Sequence, residues 1–105
     1  MIAHTPNPPY YAVIFTSVRT EGDHGYAEVS DQMDQLAAQQ PGYLGVETAR
    51  NELGINVSYW KDLESIKKWK NHVAHANARN RGRSEWYRSF KVRIAKVERD
   101  YGFDR

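Results

Sequence analysis

Residues 58–69 read SYWKDLESIKKW, and this stretch decides the fold of the chain. Its first three residues end a segment of alternating side chains, which is typical of a β-strand. Asp62 is a good N-cap residue, because its carboxylate can accept hydrogen bonds from the first backbone N–H groups of a helix. Leu63, Ile66 and Trp69, followed by Val73, then recur at helical spacing. The stretch predicts a strand, a capped turn and a helix, and we expect any chemical site here because it holds two of the three tryptophans.

The residues before this stretch predict the first half of the fold. Tyr10 to Val18 is apolar in both alternating sets, so we expect a strand that is covered on both faces. Tyr26 to Ala37 carries apolar residues at helical spacing and predicts a helix, which Pro41-Gly42 would end. Tyr43 to Arg50 and Ile55 to Trp60 alternate and are joined by a short turn, which indicates an antiparallel hairpin.

The residues after the second helix follow a less regular pattern. Residues 77–84 are mostly polar or basic and have lost the apolar stripe, so we predict a mobile connection there. Phe90, Val92 and Ile94 then alternate with polar residues and predict a last strand. The apolar phase slips by one residue before Val97, which indicates a bulge or a change of packing partner.

The predicted order is β-α-β-β-α-β, the ferredoxin-like pattern of an α+β fold with a four-stranded antiparallel sheet. Two helices can cover only one face of this sheet. Because the first strand is apolar on both sides, and Trp60 and the aromatic last strand point the same way, we expect the other face to pack on a second copy. The predicted assembly is a homodimer, a dimeric α+β barrel. Residues 1–9 are predicted as a flexible N-terminal tail, residues 10–101 as the domain and residues 102–105 as a C-terminal end.

Composition excludes several classes of function. A chain of 105 residues without cysteine holds one domain and has no disulfide, thiolate metal site or catalytic thiol. A net charge of +2 is too small for a dedicated nucleic-acid surface. The first nine residues lack the pattern of a secretory signal, and no stretch is long and apolar enough for a membrane span. We therefore expect a cytoplasmic protein with neither a nucleic acid nor a membrane as partner.

Two histidines are the candidate catalytic residues. His72 and His75 are three positions apart, and either could exchange a proton near neutral pH. A continuous helix would place His75 in solvent, whereas a break near Ala74 would turn it inward. A zinc site needs three or four ligands, and this pair has no obvious third partner, so no metal is expected.

The candidate substrate-binding residues are aromatic, cationic or amide and hydroxyl side chains. Aromatic residues supply apolar walls, an arginine can hold an anion or enolate against such a wall, and polar strand residues can donate hydrogen bonds. Each has a structural alternative: core packing or a dimer core for the tryptophans, solvation for the arginine, and pairing across the sheet for the polar residues. The set comprises Asn56, Ser58, Trp60, Trp69, Arg83, Trp86 and Tyr87.

Several of these residues occur in a recognisable order. Ser58-Tyr59-Trp60, Trp69, His75, Gly82-Arg83 and Trp86-Tyr87, with residues 40–45 (QPGYLG) before the hairpin, resemble the antibiotic biosynthesis monooxygenase domain family. The likeness covers about Tyr10 to Tyr101 and is strongest to small stand-alone, uncharacterised bacterial members. It implies the dimeric α+β barrel. Known members include cofactor-independent oxygenases of aromatic polyketides, quinol oxygenases and haem-degrading enzymes, and others have no demonstrated activity.

The resemblance implies a monooxygenase that needs no cofactor and acts on a small electron-rich aromatic, such as a hydroquinone or anthrone, between the sheet and the second helix. The alternative is a non-catalytic ligand-binding or stress-related dimer of the same fold. Haem binding or degradation is a further alternative, whose family motif is an asparagine in the first strand, a tryptophan in the second helix and a histidine nearly three turns later. Only Trp69 matches that motif, because residues 10–18 contain no asparagine and Arg79 stands ten positions beyond Trp69.

Overall fold

The structure, a computed structural model, describes residues 1–105. Four strands and three helices follow the predicted β-α-β-β-α-β order, with the second helical region divided in two. No helix combines the length and the apolar character that crossing a membrane requires. The elements are β1 (Tyr10–Arg19), α1 (Tyr26–Ala37), β2 (Tyr43–Arg50), β3 (Gly54–Trp60), α2 (Leu63–Lys70), α3 (Val73–Arg81), a π-helical turn (Gly82–Trp86) and β4 (Tyr87–Val97).

The strands form one antiparallel sheet in the order β2-β3-β1-β4, so the predicted ferredoxin-like α+β fold is confirmed. The central strand β1 places Val13 between Ser58 of β3 and Ile94 of β4. Residues on this side of the sheet face the helices. The opposite side carries Ile14 of β1 opposite Val57 of β3, so β1 is apolar on both faces, as its sequence predicts.

The core lies where the end of β3 meets α1 and α2. Trp60, Ala37 and Ile66 form the buried cluster, and Trp60 is fully buried. Tyr11, Val13, Tyr43 and Trp69 pack around these three residues. Of the apolar stripe predicted for this helix, Ile66 points into the core and Trp69 packs against it. Leu63 and Val73 are 53% and 73% exposed, because Leu63 lies at the start of α2 and Val73 lies beyond its end.

The start of α2 has the predicted cap. The Oδ1 atom of Asp62 accepts hydrogen bonds from the backbone N–H of Ser65, at 2.8 Å, and from its hydroxyl, at 2.7 Å. The backbone N–H of Lys61 donates to the carbonyl of Gly42 at 2.7 Å, which ties the helix start to the residue before β2. Gly42 has φ +84°, and a Cβ added there would lie 2.6 Å from the Cβ of Ser65. Only glycine suits this position.

The second helical region breaks between Lys70 and Val73, and residues 77–84, which were predicted to be an irregular connection, are helical; their mobility stays a prediction. This segment forms the end of α3 and most of the π-helical turn. No residue of α3 is buried, so the apolar stripe that sequence analysis seeks is absent. Polar contacts hold it instead: Arg79 donates to the carbonyl of Lys70 at 3.0 Å, and Arg81 donates to the carbonyl of His24 at 2.7 Å.

The phase slip in the last strand reflects a change of packing partner. The register between β1 and β4 runs unbroken from Ser89 to Val97, and the only irregularity lies at the other end, beside Arg19. Val97 stands opposite Tyr10 on the side away from the helices, whereas Ile94 faces the helices opposite Val13. The two residues therefore belong to different faces of a regular strand.

The chain ends lie outside the regular elements. The backbone N–H of Ala3 donates to Oε2 of Glu47 at 3.0 Å, so residues before β1 lie against the side of the sheet away from the helices. The hydroxyl of Tyr10 donates to Asp100 and accepts a hydrogen bond from Thr5 at 3.1 Å. Flexibility of residues 1–9 stays a prediction. Tyr101 and Phe103 are exposed.

Candidate functional site

A cavity of about 610 Å³ lies between the sheet and the three helices. Its wall is mostly apolar and aromatic, which suits a small aromatic molecule. Phe90, Val92 and Ile94 of β4 line one side and are 37%, 47% and 54% exposed, so the cavity opens toward the β4 edge of the sheet. Eight of the nine candidate residues contribute to the lining: Asn56, Ser58, Trp60, Trp69, His75, Arg83, Trp86 and Tyr87.

A row of aromatic rings forms the wall beside α2. The ring of Tyr43 meets Trp60 edge to face at 5.5 Å, and Trp60 and Trp69 lie nearly parallel at 6.4 Å between centroids. His75 stacks flat on Trp69, with centroids 4.4 Å apart and 9° between the planes. Because α2 stops at Lys70, His75 of α3 turns back onto the side chain of Trp69. The helix break thus turns His75 inward. This is the second of the two predicted cases, since a continuous helix would have placed His75 in solvent.

The protonation state of His75 follows from its contacts. Its Nδ1 atom lies 3.0 Å from the backbone carbonyl of Trp69. A carbonyl can only accept, so Nδ1 carries the hydrogen and Nε2 keeps a free lone pair in the neutral ring. Burial lowers the pKa of His75, and the nearby charges of Arg79 and His72 act in the same direction, against the hydrogen bond to Trp69, which raises it. The ring is therefore neutral at neutral pH, with Nε2 as its basic atom.

His72 takes a structural position instead. It is the N-cap of α3, and its Nδ1 accepts a hydrogen bond from the backbone N–H of Ala74 at 3.2 Å. It does not line the cavity. His72 and His75 were predicted to be neighbours on one helix, and both rings do lie against Trp69, at 5.6 and 4.4 Å between centroids. The helix breaks at His72, however, and its Nδ1 is used as the cap of α3, so this placement gives a catalytic role of His72 no support.

Trp60 and the polar residues of β3 lie on the cavity side of the sheet. The Nε1 atom of Trp60 donates to the hydroxyl of Ser58 at 2.9 Å. Trp60 packs against α2 through Ile66, so the alternative that it belongs to a dimer core is wrong. The hydroxyl of Ser58 therefore already accepts a hydrogen bond. Asn56, two residues before Ser58 on the same face of β3, also lines the cavity.

A second aromatic cluster closes the other end of the cavity. Tyr26 of α1 meets Trp86 and Tyr87 edge to face, at 5.7 and 5.9 Å between centroids. The guanidinium of Arg19 lies 3.6 Å from the ring centre of Tyr26, and Trp86 donates through Nε1 to the carbonyl of His24 at 2.9 Å. Burial and the neighbouring Tyr26 raise the pKa of Tyr87, which stays protonated. Tyr26 belongs to the apolar stripe predicted for the first helix, and its position in the cavity wall was not predicted.

The cavity wall also carries an excess of positive charge. Lys70, Arg79, Arg83 and Lys91 line it, and Asp34 is the one acidic residue among the lining side chains. Arg83 lies with its guanidinium carbon 5.6 Å from the ring centre of Phe90. Arg79 was missed as a site residue; the available signal was its spacing of four from His75, which places both on one face of a helix.

No group of three or more histidine, aspartate or glutamate side chains is arranged to hold a metal ion.

Comparisons with known proteins identify relatives of this chain. The sequence profile described as antibiotic biosynthesis monooxygenase matches residues 9–81. A protein of Bacillus subtilis (strain 168), named Uncharacterized protein YqjZ, is 52% identical over 100 residues, which cover 93% of this chain and 88% of that protein.

Solved structures with low sequence identity share the fold. A mutant of SnoaB, a cofactor-independent oxygenase from Streptomyces nogalater, has a TM-score of 0.75 at 9% identity and covers 87% of this chain and 95% of that chain. Rv0793 from Mycobacterium tuberculosis has a TM-score of 0.76 at 10% identity, with coverage of 89% and 99%. At such identities the likeness concerns the fold alone. The profile match over most of the length, together with the 52% identical relative, shows that this chain belongs to the antibiotic biosynthesis monooxygenase family.

Proposed function

We propose that the protein is a cofactor-independent monooxygenase that oxidises a small electron-rich aromatic, of the hydroquinone or anthrone type, in the cavity between sheet and helices. The observation that carries the proposal is the state of His75. It lines the cavity as a neutral imidazole whose Nδ1 is engaged by the carbonyl of Trp69, which leaves Nε2 as a base. Family membership supports the reaction class, and so does the shared fold of SnoaB, which is described as a cofactor-independent oxygenase.

The proposed reaction begins with proton transfer. Nε2 of His75 takes a proton from a phenolic hydroxyl, or from the acidic methylene of an anthrone, and the resulting anion gives one electron to O₂. The radical pair combines to a carbon-bound peroxide, which eliminates water to leave a carbonyl. One oxygen atom enters the product and the other leaves as water, and the substrate supplies all four electrons. The reaction therefore balances without an external reductant.

The aromatic wall has a positioning role in this scheme. Trp60 and Trp69 present apolar faces, and a low-dielectric wall strengthens the interaction between the anionic intermediate and any cation or N–H donor nearby. A non-catalytic ligand-binding function would be favoured by a collapsed cavity with both histidines in solvent. The open cavity and the inward position of His75 favour the enzymatic alternative.

The proposed assembly is a homodimer. Only 9 of the 105 residues are buried, so a single copy leaves much apolar surface open. On the side of the sheet away from the helices, Ile14 and Val57 are half-buried and Ile55 is 44% exposed. No helix covers this face. A second sheet packed on it would complete the barrel that the sequence predicts.

The test is O₂ uptake with a panel of hydroquinones and anthrones. We expect turnover by the wild-type protein and a loss of about 10²–10⁴-fold in kcat for His75→Ala and His75→Gln. His4→Ala is the matched control, because His4 is exposed in the N-terminal segment and remote from the cavity lining. Circular dichroism confirms that each variant is folded. A rate that is indifferent to both His75 substitutions overturns the proposed base, and absence of turnover across the panel favours ligand binding without catalysis.

A further inference from the structure

We propose that the cavity selects aromatic ligands that carry a carboxylate, and that Arg79 is the residue that binds this carboxylate. The inference deepens the proposed function and rests on it for the identity of the aromatic ring. The anion site itself rests on the charge of the cavity wall and on the hydrogen-bonding state of Arg79.

The charge of the wall favours an anion. Lys70, Arg79, Arg83 and Lys91 contribute atoms to the wall, against one acidic residue, Asp34. Lys70 and Arg83 are exposed, and the side chain of Lys91 lies on the other face of β4, so Arg79 is the half-buried cation of the wall. None of these five takes part in a salt bridge, because the one ion pair of the chain joins Arg81 to Glu85. A cavity with low-dielectric walls and unpaired charges of one sign attracts a ligand of the opposite charge.

Arg79 is the cation best suited to bind the anion. It is half-buried in the cavity wall, and its Nη2 donates to the carbonyl of Lys70 at 3.0 Å, which holds the guanidinium in place. Its Nε is the only buried side-chain nitrogen or oxygen in the chain without a hydrogen-bond partner. Buried donors in folded proteins almost always have a partner, so a group left without one calls for an explanation. Because this nitrogen is closed to solvent, a carboxylate bound to the guanidinium reaches it once the side chains over it shift, and the carboxylate then supplies the missing partner and neutralises the charge.

The position of Arg79 places the carboxylate beside the proposed base. His75 and Arg79 are four residues apart on α3, and the charge of Arg79 is close enough to His75 to lower its pKa. A substrate with its carboxylate on Arg79 therefore has its ring near the Trp69 and His75 stack. This orientation is what a deprotonation by His75 requires, since the reacting group must reach the base within hydrogen-bond distance.

The test compares two ligands of the same ring and nearly the same shape, 2,5-dihydroxybenzoate and its neutral counterpart 2,5-dihydroxybenzamide. Binding is measured by calorimetry without oxygen, so that turnover does not interfere. We expect the carboxylate to bind at least about tenfold more tightly than the amide to the wild-type protein. Arg79→Gln should abolish the preference, and Arg79→Lys, which keeps the charge but loses the Nε donor, should retain part of it. Arg88→Gln, an exposed arginine outside the cavity lining, is the control with the same charge change and should preserve it.

Equal affinity of the two ligands, a preference that survives in folded Arg79→Gln, or no binding of either ligand by the wild-type protein would each overturn the inference. Its failure can be told apart from that of the proposed function. Tight binding of the carboxylate without any O₂ uptake would support the anion site and contradict the proposed oxygenase function. Oxidation of 1,4-hydroquinone that is as efficient as oxidation of its carboxylate would support the oxygenase function and contradict the anion site.

Discussion

Replacing Gly42 with alanine tests how the helix that carries Trp69 is positioned. Gly42 precedes β2 with φ +84°, where an L-residue costs about 1–2 kcal/mol. The new methyl group would also lie 2.6 Å from the Cβ of Ser65 and nearer still to its hydroxyl, so Ser65 must move away from the cap of α2. Such overpacking costs about 1–3 kcal/mol. The expected loss in free energy of unfolding is about 2–5 kcal/mol, and the melting temperature should fall by about 8 °C or more.

The assay is thermal and urea unfolding followed by circular dichroism, with Gly102→Ala as control, since a Cβ there meets nothing within 4 Å. In a Ser65→Gly background the clash is gone, and the cost of Gly42→Ala should shrink to the backbone strain of about 1–2 kcal/mol. A cost below about 0.5 kcal/mol for Gly42→Ala, or the same cost in both backgrounds, would refute the reasoning.

Three further predictions concern His75, haem and the assembly. Burial lowers the pKa of His75 below its unfolded value of 6.5, so in acid the unfolded chain binds a proton at His75 more readily than the folded chain does. The contribution of neutral His75 to the free energy of unfolding is therefore complete above pH 6.5 and is lost as the pH falls through the folded pKa. The His75→Gln variant should therefore show a flatter decline in stability from about pH 8 to about pH 5 than wild type, whereas His4→Gln should not. Titration with haem should give no shifted Soret band, because Arg79 stands where the haem-degrading motif has histidine; a shifted band that His75→Ala removes would contradict this. Sedimentation at micromolar concentration should show a dimer that Ile55→Glu dissociates and that Leu63→Glu, on the helix side, leaves intact; a stable wild-type monomer would refute the proposed assembly.

Sequence patterns predict the sheet, the presence of α1 and the start of α2 well, because their residues obey simple periods. The alternation in Tyr43–Arg50 and the helical spacing in Tyr26–Ala37 reflect which side chains are covered; β2 has the predicted bounds, whereas α1 ends at Ala37, before the predicted stop at Pro41-Gly42. Asp62 was found for the same reason, since capping chemistry is local in sequence. The family was recognisable from the order of short motifs along the chain, among them Ser58-Tyr59-Trp60, Trp69 and Trp86-Tyr87.

The site was only partly predictable, because its geometry depends on contacts between distant residues. Nothing local in the sequence shows that the helix stops after Lys70, yet this break turns His75 onto Trp69 and makes His72 a cap. The helical state of residues 77–84 depends on hydrogen bonds from arginines to carbonyls in other segments, which leave no apolar period. Arg79 was overlooked for that reason, although it lies beside the proposed base.

The exposed side of β4 has a consequence for handling the protein. Its half-exposed apolar residues stand on an edge strand with unpaired backbone groups, the kind of edge along which separate molecules join and precipitate. Lys91 and Arg93 alternate with Phe90, Val92 and Ile94 along this strand. Their like charges repel the same strand of an approaching molecule. The apolar residues at the entrance to the cavity therefore stay exposed without pairing edge to edge with another copy. Salt weakens this repulsion over distances beyond about 10 Å at 0.1 M, which makes dilute buffer the better storage medium.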